Sequence, residues 1–192
     1  MRYLSIIYYD TFARFFCAIE DAVKAKDQNA EFLHLAIFPS GWMYMKVHGR
    51  NVRLLPWQIR KRKVGVASLT VGENALDAVT RYHRVTGERY GQEYRTVLIR
   101  RAQKYINTMA DFVKSFQPDV VLFSGDTRIA CESLRFYLDQ SGYTGRRYFF
   151  ELGPNGTTIF DTQGVNANCS FRESAVTLTG IGYTPEIVVK SR

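Results

Sequence analysis

Long apolar runs are missing from this 192-residue chain, and none approaches the length of about eighteen residues that a membrane-spanning helix needs. Cysteine is sparse. Cys17, Cys131 and Cys169 are scattered, odd in number and without a CxxC pair. That excludes a disulfide framework or a zinc knuckle read from spacing, and points to reduced thiols in a cytoplasmic protein. Only three histidines occur, His34, His48 and His83, and none has a partner at metal-ligand or catalytic spacing. His34 lies inside an apparent strand and reads as a core residue. No DxD motif is present. The stretch Gly153-Pro154-Asn155-Gly156 suits a tight turn, but no Gly-Lys-Ser/Thr follows it, so it is not a P-loop. Residues 3–9 are short, aromatic and run into Asp10 without a small-residue cleavage site, which fits a first strand and not a signal peptide. Internal repeats and low-complexity tracts are absent too.

What is present is a globular composition, 46% hydrophobic with 23% charged residues. The chain is long enough to bury a sizeable core and reads as a single domain over residues 1–192. Its net charge of +8 is unevenly spread: residues 46–104 hold fourteen Lys or Arg against four Asp or Glu. The densest run is Arg60-Lys61-Arg62-Lys63, beside Trp57 and Ile59. Such a run is either a solvated basic face or an attraction for anionic partners: lipid headgroups, a nucleotide or nucleic acid. The neighbouring Trp57 and Ile59 suit a membrane surface. Nucleic acid is the less expected partner, because no RRM, KH or zinc pattern accompanies the charge.

Strands and helices alternate along the chain. Residues 3–9 read as a strand, and Asp10 or Thr11 caps a helix to about Lys26 with Phe12, Phe15, Phe16, Ile19 and Val23 on one face. Residues 32–38 read as a second strand ended by Pro39-Ser40-Gly41, and residues 42–47 as a further short strand or a loop. Residues 51–72, basic and marked by Pro56, read as irregular, and the basic segment 50–72 as flexible. Helices are expected over 74–85 and 92–116, the second stopped by Pro118. A short strand over 157–160 and β-rich pieces at 175–179 and 186–189 follow. This alternation predicts an α/β fold with a Rossmann-like, mostly parallel sheet and helices on both faces.

The most informative tract spans residues 120–170. VVLFSGDTR (120–128), YFFELG (148–153) and DTQGVNANCS (161–170) follow one another closely, with a helix-like segment over 129–140 between the first two. The first two pieces are apolar runs that end abruptly in charge, as a buried parallel strand does when it delivers polar groups to a cleft. Asp126 and Arg128 leave the first strand and Glu151 the second. Carboxylates at neighbouring strand ends can act as a general base or as a nucleophile. The alternatives are that Asp126 caps the next helix and that Glu151 pairs with Arg128, Arg146 or Arg147. The planar fork of Arg128 suits a carboxylate or phosphate, or a salt bridge across the cleft. Asp161 reads as a third acid near the site or as a turn initiator.

Gly125-Asp126-Thr127-Arg128, Phe150-Glu151-Leu152-Gly153 and Gly164-Val165-Asn166 ahead of Ser170, in this order and spacing, resemble the capsule polysaccharide biosynthesis/export family of Kdo-transferase-like glycosyltransferases. The resemblance covers about fifty residues. It implies one half of a GT-B glycosyltransferase that transfers a Kdo-type sugar, with retention, from a nucleotide-activated donor such as CMP-Kdo to a glycolipid or glycan acceptor. It implies Glu151 as the catalytic carboxylate, Asp126 as a second base or acceptor orienter, and Arg128, Gly153, Asn166 and Ser170 as substrate-binding residues. No cofactor is expected beyond the donor. A partner domain or subunit is expected to complete the donor site, so residues 1–192 alone are expected to turn over weakly or not at all. The place of action would be the cytoplasm, peripheral at the inner membrane. The family turn after the second strand often carries a second acid and an Arg-Pro pair, where this chain has Leu152 and Pro154-Asn155-Gly156. That departure supports the other expectation kept open: a non-catalytic binding or scaffold module of the same fold, attached to anionic glycolipid or a partner protein.

Overall fold

The computed structural model describes residues 1–62, 69, 71–87, 91–153, 157–165 and 168–170. The sheet-forming and helical elements are β1 (Arg2–Ile7), α1 (Asp10–Lys26), β2 (Glu31–Ala36), α2 (Pro39–Val47), β3 (Val52–Leu54) and α3 (Leu55–Lys61). Then come α4 (Glu73–Gly87), α5 (Gly91–Phe116), β4 (Val120–Ser124), α6 (Ile129–Gln140), β5 (Arg146–Leu152) and β6 (Thr158–Asp161). The strands form a single sheet in the order β3-β2-β1-β4-β5-β6. All pairings are parallel except β5 with β6. This is an α/β fold of the doubly wound, Rossmann-like kind.

The sheet is parallel because its strands are apolar almost throughout. The buried runs of β1, β2 and β4 leave no polar face for solvent, so helices must cover both sides. The helices fall into two packed groups, α1 with α2 and α4 with α5 and α6. Right-handed crossovers place these groups on opposite faces, since the chain leaves β1 toward β2 and returns from β3 to β4. Successive residues of β5 show both faces. Phe150 meets Phe15 and Phe16 of α1 with ring centroids 5.3 and 5.7 Å away, whereas Phe149 stacks on Phe123 at 4.5 Å. Leu4, Ile6, Leu35, Ile106, Met109 and Leu134 are fully buried among them.

Two segments differ from the expectation of the sequence. Residues 39–47 are the helix α2, not a strand or loop. Pro39 sits at its first turn, where a missing N–H costs nothing, so the proline starts a helix instead of only ending β2. Gly41 then lets α2 press against the end of β1, because a Cβ there would lie 3.3 Å from the carbonyl oxygens of Tyr8 and Tyr9. Residues 52–61, read as irregular, form β3 and α3, and Pro56 again occupies a first helical turn. Elsewhere the reading holds closely. The crossover helix α6 occupies residues 129–140, and α5 ends at Phe116, with Gln117 left-handed at φ +49° before Pro118. The β-rich pieces at 175–179 and 186–189 lie outside the described residues.

A chain of polar groups crosses the described core. Ser5 of β1 lies opposite His34 of β2 in the register, and its Oγ is 2.6 Å from His34 Nδ1. His34 Nε2 donates to Glu20 Oε2 of α1 at 2.9 Å. All three are within 2% of complete burial. The order matches a nucleophile, base and acid, but no solvent or substrate reaches the hydroxyl. The chain is a strut that ties α1 to the two central strands. Burial alone would raise the Glu20 carboxyl, but hydrogen bonds from His34 and Lys24 outweigh it and bring it down to about 2. A carboxylate so held binds protons more weakly when folded than when unfolded. Its stabilisation is complete above the ordinary value of 4.5 and drains as pH falls toward 2. Glu20→Gln should therefore lower stability at neutral pH by about 2–3 kcal/mol. Urea denaturation at neutral pH and near pH 3 should show the gap between variant and wild type closing in acid.

Candidate functional site

Sheet growth reverses at β1: β2 and β3 lie to one side, β4 to β6 to the other. In such a sheet the two flanking crossovers leave in opposite directions, and a crevice opens beyond the carboxyl ends of the central strands. A cleft of about 590 Å³ lies there. Its walls come from the strand tips and the helices that follow them: Tyr8 after β1, Ile37 to Pro39 after β2, Leu54 and Pro56 after β3, and Arg128 to Ala130 after β4. Ile59 of α3, His83 of α4, and Arg101 and Tyr105 of α5 complete it.

The charge in this lining is of one sign. Arg101 and Arg128 contribute guanidinium groups, and no Asp or Glu is among the lining residues. Arg128 is held by aromatic faces: its guanidinium carbon lies 4.9 Å from the Tyr8 ring centroid and 5.9 Å from that of Tyr9. Its Nη2 donates to Tyr9 Oη at 3.2 Å, and Tyr9 in turn stacks on Phe38 at 5.1 Å. His83 Nε2 accepts the Ile129 backbone N–H at 3.3 Å. That bond needs a lone pair on Nε2, so the proton of the neutral ring sits on Nδ1. Burial, then Arg128 and Arg101, lowers the pKa of His83, which keeps it neutral and leaves the positive field to the two arginines. Below Tyr8, its hydroxyl meets Cys131 Sγ at 3.6 Å. Burial pushes that thiol up to about 12, so Cys131 is an inert core residue and not a nucleophile.

The residues singled out by sequence are distributed unevenly about this cleft. Arg128 lines it. Glu151 stands at the tip of β5, half-buried. A Cβ on Gly125 would come within 3.4 Å of its Oε2. Gly125 is left-handed at φ +82°, the sharp turn that lets the chain leave β4, and a side chain would be strained there. Asp126 is 1% exposed, is not among the residues that line the cleft, and bonds the return of the chain after β6. Its Oδ2 accepts from the Val165 N–H and from Asn168 Nδ2, each at 2.9 Å. Gly153 closes the β5–β6 hairpin by donating its N–H to Thr157 O at 2.8 Å. Ser170 bonds Asp161 through both its N–H, at 3.0 Å, and its hydroxyl, at 2.6 Å. Asp161 also accepts from Gln163 N and Gly164 N, so it organises the turn that its sequence position suggested. Asn166, like Pro154-Asn155-Gly156, lies outside the described residues. No group of three or more His, Cys, Asp or Glu able to hold a metal occurs among the described residues.

Sequence reasoning did not find Tyr8, His83, Arg101 or Tyr105 as cleft residues. They come from three separate elements, and only Arg101 and Tyr105, four apart on α5, share a spacing along the chain. The signals available were a Tyr-Tyr pair at the end of an apolar strand and an Arg-Arg pair on a helix.

Against this geometry, no protein-family model matches the chain and no curated protein matches it. Among solved structures, the chain is similar to the crystal structure of the glycosyltransferase VinC in complex with dTDP, at 11% identity and a TM-score of 0.35. That match spans 77% of this chain and 33% of the VinC chain. A likeness this distant carries no argument about chemistry, and the α/β, Rossmann-like class rests on the strand order itself.

Glu132, on the helix beside the cleft, gives the site a measurable pH signature. Burial raises its carboxyl to about 7, against the pull of Arg135 and Arg81 and with an added push from Asp126. An acid raised in the folded state stabilises while protonated, and that contribution is lost as pH rises from 4.5 through 7. Glu132→Gln should leave stability near pH 4 unchanged and raise it by about 2–3 kcal/mol near pH 8. Thermal melts across that range check the crossover.

Proposed function

We propose that this chain is a glycosyltransferase-like domain of the GT-B kind. It would serve the transfer of an acidic, Kdo-type sugar from a nucleotide-activated donor to a glycolipid or glycan acceptor in bacterial surface polysaccharide synthesis. The observation that carries the reading is the crevice at the sheet's switch point, with two guanidinium groups, an aromatic wall and no carboxylate in its lining. A sugar carboxylate or a donor phosphate is the chemistry such a crevice would hold. Stacking on Tyr8 and the bond to Tyr9 fix Arg128 in advance, so less side-chain freedom is lost when an anion binds.

In this reading Glu151 is the carboxylate that meets the reacting centre, as a base for the acceptor hydroxyl or as a nucleophile at the anomeric carbon. Asp126 acts through the 161–170 return and not by touching substrate, since its carboxylate is bonded to Val165 and Asn168. Ser170 likewise contributes by holding Asp161. A second reading, a non-catalytic module that binds an anionic sugar or nucleotide, is favoured by the same two observations, because they leave fewer groups facing a substrate.

Two variants separate these readings. Arg128→Ala should weaken binding of CMP-Kdo or free Kdo by about ten- to a hundredfold, the loss expected for charge-assisted hydrogen bonds. Calorimetric titration measures it. Glu151→Gln should keep that affinity and lower transfer by at least about a hundredfold when assayed with the partner half of the enzyme. Unchanged transfer in Glu151→Gln removes the catalytic assignment. Binding lost in Arg128→Ala, with no transfer by the wild type, leaves the binding module.

A further inference from the structure

Beside the cleft, a second groove of about 380 Å³ runs between α3 and α5. Pro56, Ile59 and Val97 give it an apolar floor, and Arg60, Arg100, Arg101 and Lys104 surround it. On the adjoining side of α3, the Lys61 ammonium lies 5.1 Å from the ring centroid of Trp57. Trp57 is 54% exposed and Val97 48% exposed, both large apolar side chains left in water among cations. The five cations form no salt bridge among the described residues, whereas nearby Arg62 and Arg95 are each matched, to Asp111 and to Glu73 and Asp77. The sequence from Lys63 to Gly72 contains no acid that would neutralise them.

We propose that this α3–α5 face docks the chain on an anionic lipid bilayer. The argument is charge complementarity combined with amphipathicity. Cations near an anionic bilayer gain from its surface potential, and an exposed indole beside a lysine gains from sitting at headgroup level. The side chains divide accordingly: long cationic stems around the rim keep their heads at phosphate depth while Trp57 and Val97 enter the acyl boundary. A single-stranded nucleic acid would instead call for several aromatic platforms along a track, and this face carries one. The groove shares Pro56, Ile59 and Arg101 with the cleft, so a bilayer seated on α3–α5 brings the cleft's mouth to the membrane surface. The proposal stands on this face alone and does not require the transferase reading.

The test is flotation of the full chain with vesicles of phosphatidylcholine, alone or mixed with phosphatidylglycerol. Binding is expected on the mixed vesicles only, and added salt should weaken it. R60S/K61S/K104S, all exposed positions outside the cleft, should lower the apparent affinity about a hundredfold. In a Trp42→Phe background, Trp57 fluorescence should shift to the blue on mixed vesicles. Equal flotation of the triple variant would overturn the proposal. So would an unshifted Trp57 signal, or equally tight binding to single-stranded DNA that competes with the vesicles.

Discussion

The parallel pairing of β1 on both of its edges is the constraint on which the rest of the structure depends. Tyr3 to Ile6 are matched to Phe32–Leu35 on one side and to Val120–Phe123 on the other. A strand hydrogen-bonded on both edges and covered on both faces is largely apolar, and because β1 is the first strand yet lies inside the sheet, the sheet grows from it in both directions and reverses there. The long crossover from β3 to β4 follows from that placement, and so does the crevice beyond Ile7 and Ser124. Every cleft residue lies within a few positions of a strand tip or on a helix leaning over those tips.

Polar groups in this molecule are managed in three ways. The Ser5–His34–Glu20 chain satisfies its members internally and seals them from water, which makes them structural despite their chemistry. The acids after β4 and β6 hold the return of the chain in place. The cleft, by contrast, is lined by two guanidinium groups, of which Arg128 is held by aromatic faces and not by a carboxylate. With Asp126 and Asp161 holding the return of the chain, the residues that line the cleft carry positive charge alone. That division is why the geometry speaks more strongly for anion binding than for any particular reaction.

Much of the fold was legible because parallel strands and long helices have strong local signatures. The apolar run 120–124, the turn at Gly125-Asp126 and the helix over 129–140 fell where the pattern put them. The helix over 39–47 was not legible. Proline and glycine end one element and begin another with the same letters, and packing of Gly41 on the Tyr8 and Tyr9 carbonyls decides between them. The cleft was half legible. Arg128 was found because it follows a strand. Tyr8, His83 and Arg101 were not, because only the β3-to-β4 crossover brings them together. The burial of Asp126 was invisible too, since its partners Val165 and Asn168 are some forty residues away along the chain.

Asp126, Gly164 and Asn168 fit one another as a single interlock. A Cβ at Gly164 would lie 2.9 Å from Asp126 Oδ2 and 2.6 Å from the Cβ of Asn168. None of the three positions can drift alone: a larger residue at 164 displaces the carboxylate, and losing the carboxylate strands the Val165 amide. The β4 turn and the return after β6 are therefore one mechanical unit: a change at any of the three positions shifts the other two. The sharp exit of the chain from β4 at Gly125 is thus braced from a segment some forty residues further on, which couples the rim of the cleft to the far edge of the sheet.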